Sequence, residues 1–340
     1  MYELESDERP REEGPHMPNG LAKKMSGQGY HFVGKHSATK ICGYTKSSLK
    51  GGHACYKNTF YGIQSWRCIQ ATPAIGCNLA CTFCWRIIPE EEGYSWNEIN
   101  AVDGWDDPSM IVEGLISEHR KIISGYRGNK SVTPERWSES NDPAHVALSL
   151  TGEPLFYPKM NELITEFHKR GISTFLVTNG TMLNALKRLR VMPTQLYVSI
   201  QAPNEELYNR ITRPKSLNAS WQGLHRFLEV FSTMDTRRVF RLTLIRNLNL
   251  TDPEGYANLI KVGKPHYVEL KGFVYVGGAR NSKRNLSYDQ MPVNDEILEF
   301  AKMVAGASGY IISDYDSNSK VALLCVDEAA AENRKIHFDK

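Results

Sequence analysis

Short apolar segments alternate with amphipathic ones along most of the chain from about residue 69 onward. The apolar segments are bounded by turn residues and rich in Val, Ile, Leu and Phe, which is typical of buried strands. The predicted strands cover residues 69–74, 145–150, 173–178, 195–201, 239–245 and 267–273, with a last pair at 310–315 and 320–326. Apolar residues at helical spacing predict helices over residues 106–126, 158–170, 182–190, 204–210, 219–234, 253–262 and 293–305.

Strand–helix alternation repeated about six times predicts a parallel sheet with its helices outside. We therefore expect an α/β fold, a partial (β/α)6 barrel, in which the chemistry lies at the C-terminal ends of the strands. The pattern divides the chain into four parts. These are a mobile tail at residues 1–20, an irregular segment at 21–68, the barrel at 69–275 and a C-terminal extension at 276–340 that packs on the barrel.

Composition places the protein among ordinary globular proteins. Of its 340 residues, 41% are hydrophobic and 23% are charged, which excludes a disordered or fibrous protein. No apolar run approaches the ~18 residues of a membrane span, and the acidic N-terminus does not resemble a secretory signal. We expect a cytoplasmic protein with no membrane partner.

The net charge of +3 conceals a strong asymmetry along the chain. Residues 1–13 carry a net charge of −4, whereas residues 21–89 contain no Asp or Glu and nine Lys or Arg. A long stretch of one sign favours a surface that binds a polyanion, with nucleic acid as the first candidate. The alternative, on charge alone, is a solvated basic surface with no partner.

Six of the seven cysteines fall between residues 42 and 84, and Cys325 stands alone. Clustered cysteines in a cytosolic protein indicate metal or redox chemistry before disulfides. Three of them follow the first predicted strand with C-x3-C-x2-C spacing, namely Cys77, Cys81 and Cys84. Three thiolates on such a loop can bind three irons of a [4Fe–4S] cluster and leave the fourth iron open to an exogenous amine and carboxylate. A zinc site with His53 or His36 as fourth ligand is the alternative.

The other three cysteines are spaced as C-x12-C-x12-C, at Cys42, Cys55 and Cys68. Their segment is polar and has no clear apolar period, so a metal centre would give it the order that a hydrophobic core cannot. The spacing therefore predicts a second three-cysteine cluster, although buried unreactive thiols are the simpler reading.

The first cysteine motif, with Phe83 before its last cysteine, resembles the signature of the radical S-adenosylmethionine superfamily. The segment from Ser149 to Pro154 also resembles that superfamily's glycine–glutamate segment, which holds the methionine amino group. The resemblance implies a cofactor-binding set at the strand ends, although Gln201 stands where an Asp is expected and its own role is open. This set comprises Gly152, Glu153, Asn179, Ser199, Gln201 and Arg241.

The two cysteine spacings together resemble one family, the tRNA 4-demethylwyosine synthases of the wybutosine pathway. Matching segments run from about residue 30 to residue 336 and include Val33–Ser37, Cys55–Lys57, Arg67–Gln70, Cys84–Arg86, Pro193–Ser199 and Glu269–Lys271. The resemblance implies a radical enzyme that condenses N1-methylguanosine-37 of tRNA(Phe) with two carbons of pyruvate to form tricyclic 4-demethylwyosine. It also implies two [4Fe–4S] clusters, with S-adenosyl-L-methionine bound to one of them.

Lys57 matches the family position at which a lysine forms a Schiff base with pyruvate; chelation of pyruvate to the second cluster is the alternative. We expect a separate electron donor of the flavodoxin or ferredoxin type, because the flavodoxin-like domain of eukaryotic members is not in this sequence. The basic segment then predicts contacts with tRNA phosphates from Lys35, Lys40, Lys46, Lys50, Arg67 and Arg86.

Two other functions fit part of the pattern. Another radical S-adenosylmethionine enzyme with an auxiliary cluster would share the barrel, although such enzymes usually place the extra cysteines elsewhere. A non-catalytic, metal-stabilised RNA-binding protein would explain the basic segment and the cysteines. It would leave Gly152 and Glu153 without a purpose.

Overall fold

The fold is built on one open sheet of ten strands. The computed structural model describes residues 16–100, 102 and 104–337. In chain order the strands are β1 (His31–Val33), β2 (Ser37–Thr39), β3 (Cys68–Thr72), β4 (His145–Leu148), β5 (Ser173–Thr178), β6 (Gln195–Ile200), β7 (Arg237–Leu244), β8 (Tyr267–Gly272), β9 (Ile311–Asp316) and β10 (Val321–Cys325). The sheet order is β1-β2-β3-β4-β5-β6-β7-β8-β10-β9.

Helices connect and cover these strands. In chain order they are α1 (Asn19–Gly27), α2 (Gly43–Leu49), α3 (Tyr56–Tyr61), α4 (Trp96–Asn100), α5 (Pro108–Ser124), α6 (Pro134–Ser140), α7 (Met160–Lys169), α8 (Leu183–Arg188), α9 (Glu205–Thr212), α10 (Trp221–Phe231), α11 (Pro253–Gly263), α12 (Asn294–Ser308) and α13 (Glu328–Glu332).

The six strands from β3 to β8 pair in parallel with their neighbours, which confirms the predicted partial (β/α)6 barrel. The added strands are antiparallel: β2 pairs with β3 at one edge, and β10 pairs with β8 at the other. The sheet is therefore an open barrel, and β9 and β10 of the C-terminal extension continue it rather than packing on it as a separate layer.

The outer face of the parallel strands is covered by amphipathic helices, as the apolar spacing requires. Helix α5 is an example: the Asp107 side chain accepts a hydrogen bond from the Ser109 N–H at 2.9 Å and caps the helix, with Pro108 in its first turn. Its buried residues, which include Ile111 and Leu115, pack into the main hydrophobic core. Every predicted strand and helix is present, with ends within three residues of the expectation.

The inner face of the sheet is filled by the N-terminal segment. Residues that alternate with those of the outer core, such as Phe175 and Tyr197, form a second hydrophobic cluster. Helix α3 contributes Tyr56, Phe60 and Tyr61 to the same cluster, and all three are buried. A six-residue helix thus plugs the interior of the barrel.

The expectation of an irregular segment at residues 21–68 was wrong in this respect. That segment holds α1, α2, α3, β1 and β2, none of which the sequence pattern predicted; α4, α6 and α13 were also missed. These elements are short, so an apolar period has too few repeats to be recognised. Of the predicted mobile tail, residues 1–15 lie outside the described residues, and α1 already begins at Asn19.

Candidate active site

A cavity of about 850 Å³ opens at the C-terminal ends of the parallel strands. Both groups of clustered cysteines border it, Cys42 from one group and all three members of the other. The loops after β4, β5 and β6 contribute further polar residues of the predicted site, namely Gly152, Glu153, Asn179 and Gln201. The fold therefore brings into one cavity groups that lie far apart in the sequence.

The loop after β3 carries Cys77, Cys81 and Cys84. Its backbone is fixed to the end of α9, because the Ala80 N–H donates to the Thr212 carbonyl at 2.9 Å and the Thr82 N–H donates to the Ile211 carbonyl at 2.9 Å. Burial raises the pKa of the Cys77 thiol to about 12, and the Glu153 carboxylate and the Cys84 thiol act in the same direction. Three half-buried thiols on a rigid loop suit a bound metal cluster, which would hold them as thiolates.

A buried arginine from the C-terminal extension anchors this loop. Arg284 has a fully buried side chain, which donates to the Glu91 carboxylate at 2.8 Å, to the Arg86 carbonyl at 3.0 Å and to the Cys84 carbonyl. The sequence does not predict this contact, because Arg284 lies nearly 200 positions along the chain from its partners.

The second cysteine group lies where α2, α3 and β3 begin. Cys42 and Cys55 are the residues immediately before α2 and α3, and Cys68 is the first residue of β3. Burial raises the pKa of the Cys55 thiol to about 11 and that of the Cys68 thiol to about 12, and the nearby Cys42 thiol acts on both pKa values in the same direction. Helix N-termini stabilise negative charge, so the donor set fits an anionic thiolate-bound cluster.

The geometry does not favour the zinc alternative. Both ring nitrogens of His36 are engaged, Nδ1 with the Pro73 carbonyl at 2.6 Å and Nε2 with the Asp106 N–H at 2.9 Å. Within residues 16–100, 102 and 104–337, no three His, Cys, Asp or Glu side chains are placed to ligate one metal ion. Ligands of a four-iron cluster bind different irons, so they need not converge on a single point.

The Gly152–Glu153 segment is held tightly against the cysteine loop. Gly152 has φ +72°, and a Cβ there would overlap the carbonyl oxygens of Ala74, Ile75 and Gly76. The Glu153 carboxylate accepts from the backbone N–H of Asn179 at 2.7 Å and from that of Leu155 at 3.1 Å. Burial raises the pKa of Glu153 to about 7.

The residues after β5 and β6 complete this half of the cavity. The Asn179 side-chain amide donates to Asn78 Oδ1 at 3.0 Å and lies 3.6 Å from the Cys77 sulfur. Ser199 lines the cavity, and Gln201 Oε1 is buried with no hydrogen-bond partner among the described residues. A buried acceptor without a donor fits a ligand that brings one, as the amine or hydroxyls of S-adenosylmethionine would.

Lys57 lies on α3, on the inner side of the sheet. Its Nζ is 4.9 Å from the ring centroid of Phe175 and 4.6 Å from that of Tyr197. Burial lowers the pKa of the Lys57 amine to about 8, and the positive charge of Arg241 acts in the same direction. A larger fraction of this amine is therefore neutral near pH 7 than for an exposed lysine.

A polar network beneath Lys57 was not foreseen as a unit. Glu269 is fully buried, and its carboxylate accepts from the hydroxyls of Tyr56 and Tyr61 and from Arg241 Nε, each at 2.9 Å. The structure thus places Arg241, predicted as a cofactor ligand, beside Lys57. The only sequence signal for this network was an acidic residue inside the apolar strand β8.

The six basic residues predicted to contact tRNA fall into two sets. Lys46 and Lys50 are exposed, Lys35 and Lys40 are half-buried, and Lys40 borders the cavity. The guanidinium groups of the other two are hydrogen-bonded to groups of the protein itself, so these arginines are poor candidates for contacts with tRNA. Arg67 donates to Asp142 and Gln64, and Arg86 donates to the carbonyls of Ser149 and Leu150.

Comparison with known proteins identifies relatives of the whole chain. Residues 72–260 match the family model of the radical SAM superfamily, and residues 262–326 match the model for wyosine base formation. The S-adenosyl-L-methionine-dependent tRNA 4-demethylwyosine synthase of Pyrococcus horikoshii is 43% identical over 92% of this chain and 91% of its own length. The enzyme of the same name from Methanocaldococcus jannaschii is 36% identical over 94% of this chain and 99% of its own.

Two solved structures share the fold over nearly the full length. A structure of TYW1 with a lysine–pyruvate adduct bound has a TM-score of 0.81 and 35% identity, covering 94% of this chain and 98% of that one. An archaeal TYW1 structure has a TM-score of 0.73 and 32% identity over the same shares. In the described part of the chain, no helix is both long and apolar enough to span a bilayer.

Proposed function

Because the chain belongs to the radical S-adenosylmethionine superfamily and, within it, to the tRNA 4-demethylwyosine synthases, we propose that it condenses N1-methylguanosine-37 of tRNA(Phe) with two carbons of pyruvate. The product is the tricyclic base 4-demethylwyosine. The observation that carries the proposal is a single cavity bordered by both cysteine groups, with Lys57 half-buried on the inner face of the sheet, over the ring of Tyr197. Neither alternative function accounts for the match to wyosine base formation.

Cys77, Cys81 and Cys84 would hold the cluster that binds S-adenosylmethionine. Such a cluster would supply one electron for the reductive cleavage of S-adenosylmethionine at its sulfonium, the source of the radical chemistry. The Glu153 carboxylate and the Gln201 side-chain oxygen, which both border the cavity, would accept hydrogen bonds from the cofactor. The close fit of Gly152 to the carbonyls of Ala74, Ile75 and Gly76 would hold the adjacent Glu153 next to the loop that carries the thiols.

Cys42, Cys55 and Cys68 would hold a second [4Fe–4S] cluster. Three facts support it: the thiols are near one another, two of them precede helices, and Cys42 borders the same cavity as the first group. This cluster would order α2 and α3. It would thereby hold Lys57, on α3, in position relative to the part of the cavity where S-adenosylmethionine would bind.

Lys57 would bind pyruvate as a Schiff base. The neutral amine attacks the C2 carbonyl of pyruvate, and water leaves as the imine forms. Burial lowers the pKa of the Lys57 amine to about 8 and so favours the neutral form that attacks the carbonyl. A relative with a lysine–pyruvate adduct supports this assignment.

The tRNA would approach over the basic segment, where Lys35, Lys40, Lys46 and Lys50 offer charge to the anticodon-loop phosphates. The reaction also needs a one-electron donor, for which a separate flavodoxin or ferredoxin type of protein is our proposal. We propose a cytoplasmic location, where tRNA and pyruvate are both available.

Product analysis with isotopic pyruvate tests the proposed function. The reconstituted enzyme is incubated anaerobically with reductant, S-adenosylmethionine, m1G37-containing tRNA and pyruvate labelled at C2 and C3, and the tRNA is then digested for mass spectrometry. We expect a nucleoside with both labelled carbons from wild type, and none from Lys57→Ala or Cys77→Ala. Lys57→Ala should still cleave S-adenosylmethionine. An unlabelled tRNA from wild type would refute the proposal.

A further inference from the structure

Three cationic side chains lie close together on the inner face of the sheet, and one of them is the lysine proposed to bind pyruvate. They are Lys57 on α3, Arg241 on β7 and Lys271 on β8. Arg241 and Glu269 are register partners on adjacent parallel strands, so both point to the same face, as do Thr243 and Lys271 two residues on. Arg241 and Lys271 also border the cavity, and a ligand that enters it reaches them.

The guanidinium of Arg241 has one nitrogen bonded to the protein and another without an acceptor. Its Nε donates to Glu269 at 2.9 Å, whereas Nη2 is buried and has no hydrogen-bond partner among the described residues. A buried guanidinium N–H without an acceptor is costly unless a ligand satisfies it. Since Arg presents parallel donors that match a carboxylate, the missing acceptor is best supplied by a carboxylate oxygen.

The position of this free donor relates it to the bound substrate. The Arg241 guanidinium carbon and Lys57 Nζ each lie 4.6 Å from the centroid of the Tyr197 ring. They are therefore no farther apart than twice that distance. In an imine of pyruvate with Lys57, the carboxylate is attached directly to the imine carbon. Its oxygens therefore stay close to Nζ, and a guanidinium at such a distance can reach them.

The charges of the pocket also call for an anion. The carboxylate that interacts with all three cations is Glu269, and its oxygens already accept from Tyr56, Tyr61 and Arg241. A buried excess of positive charge is unfavourable without a counter-charge. The thiols of Cys42, Cys55 and Cys68 also act on Lys57 or Lys271, and the carboxylate of a 2-oxo acid would add a negative charge beside Arg241.

We propose that Arg241 binds the carboxylate of pyruvate and thereby selects a 2-oxo acid for reaction at Lys57, while Glu269 positions the guanidinium. The inference rests on the proposed function, in which pyruvate is the substrate. It gives Arg241 a ligand different from the S-adenosylmethionine that the sequence predicts. Arg241 would then hold C1 of pyruvate while Lys57 holds C2. The bond between C1 and C2 must break if only C2 and C3 enter the product, and both of its ends would be fixed by protein groups.

Borohydride trapping with a charged and a neutral substrate tests the proposal. The reconstituted holoenzyme is titrated with pyruvate or with methyl pyruvate, which lacks the negative charge, and the adduct on Lys57 is measured by peptide mass spectrometry. Wild type should trap pyruvate at concentrations about 10- to 100-fold lower than methyl pyruvate, the range expected for a charged hydrogen bond. Arg241→Gln should lose this preference, with S-adenosylmethionine binding unchanged.

Two further variants separate specificity from folding. Arg241→Lys keeps the charge without the paired donors, so it should retain a partial preference and would serve if Arg241→Gln failed to fold. Arg238→Gln changes the neighbouring arginine of β7, whose guanidinium binds the carbonyls of Met234 and Lys264, and should keep the full preference.

The outcomes distinguish this inference from the proposed function. A wild-type preference for pyruvate that persists in Arg241→Gln would overturn the role of Arg241 alone. Weakened S-adenosylmethionine binding with that preference intact would instead support the sequence-based assignment. If wild type formed no adduct with pyruvate, the Schiff base at Lys57 and the inference built on it would both fall.

Discussion

His119 on α5 is a histidine that the fold holds neutral. It is buried, its Nε2 donates to the Ser140 carbonyl at 3.0 Å, and burial lowers its pKa to about 4. In the unfolded chain its pKa is near 6.5, so between pH 6.5 and 4 the unfolded state binds more protons than the folded state. The contribution of His119 to stability therefore falls as the pH falls through this window.

We predict that acidification from pH 7 to pH 5 costs wild type roughly 2 kcal/mol more in free energy of unfolding than it costs His119→Gln. The side-chain amide of Gln can keep a hydrogen-bond donor near the Ser140 carbonyl, and it binds no proton between pH 7 and pH 5. Urea unfolding of both proteins at the two pH values measures the difference. His225→Gln, at a half-buried histidine of α10, is the control and should follow wild type. Equal pH dependence in His119→Gln and wild type would contradict the account.

The residue scale also shows what a sequence can and cannot predict. The cysteine groups and the Gly152–Glu153 pair could be identified because their spacing is local and their chemistry is specific. The Glu269 network could not, because its members come from α3, β7 and β8 and meet only in the folded barrel. The same holds for Arg284 and Glu91.

Helix α3 shows how a short element can decide the architecture. Its buried aromatic residues fill the barrel interior, and the same helix carries Lys57 and follows Cys55. The strands and long helices were predictable because several apolar repeats define each of them. A six-residue helix contains fewer than two turns, so its buried face is determined by the barrel rather than by a recognisable period.

We predict that Phe60→Ala lowers the free energy of unfolding by about 3–5 kcal/mol, because Phe60 is fully buried between α3 and the sheet and its loss leaves a cavity. The adjacent Thr59→Ala, at an exposed position of the same helix, is the matched control and should cost about 1 kcal/mol or less. Denaturant unfolding checks both. A cost for Phe60→Ala as small as that of the control would show that α3 does not plug the barrel.

At the scale of the whole molecule, the acid-free segment and the cavity would form the face that we propose for tRNA. The segment was predictable from composition alone, since charge patterning does not depend on the fold. The sequence does not predict which basic side chains are free to contact tRNA. Arg67 and Arg86 make hydrogen bonds within the protein, whereas Lys46 and Lys50 are exposed.

We predict that tRNA binding weakens steeply as the salt concentration rises. In the double variant Lys46→Gln/Lys50→Gln, the dependence of binding on salt should be less steep. Each lost phosphate contact should reduce the slope of log K against log salt by roughly 0.7–0.9. Filter binding at several potassium chloride concentrations measures the slope. Lys302→Gln, at an exposed lysine of α12 outside the basic segment, should leave it unchanged. A slope in the double variant equal to that of wild type would exclude both lysines from the interface.

We propose that two iron–sulfur clusters border one cavity, each held by its own three cysteines. Iron and sulfide per chain after anaerobic reconstitution test it most directly. Wild type should bind about eight irons, and the Cys42/Cys55/Cys68 triple alanine variant about four, as should the matched Cys77/Cys81/Cys84 triple variant. About four irons in wild type and no loss in the first variant would show that Cys42, Cys55 and Cys68 hold no cluster, and would contradict the claim.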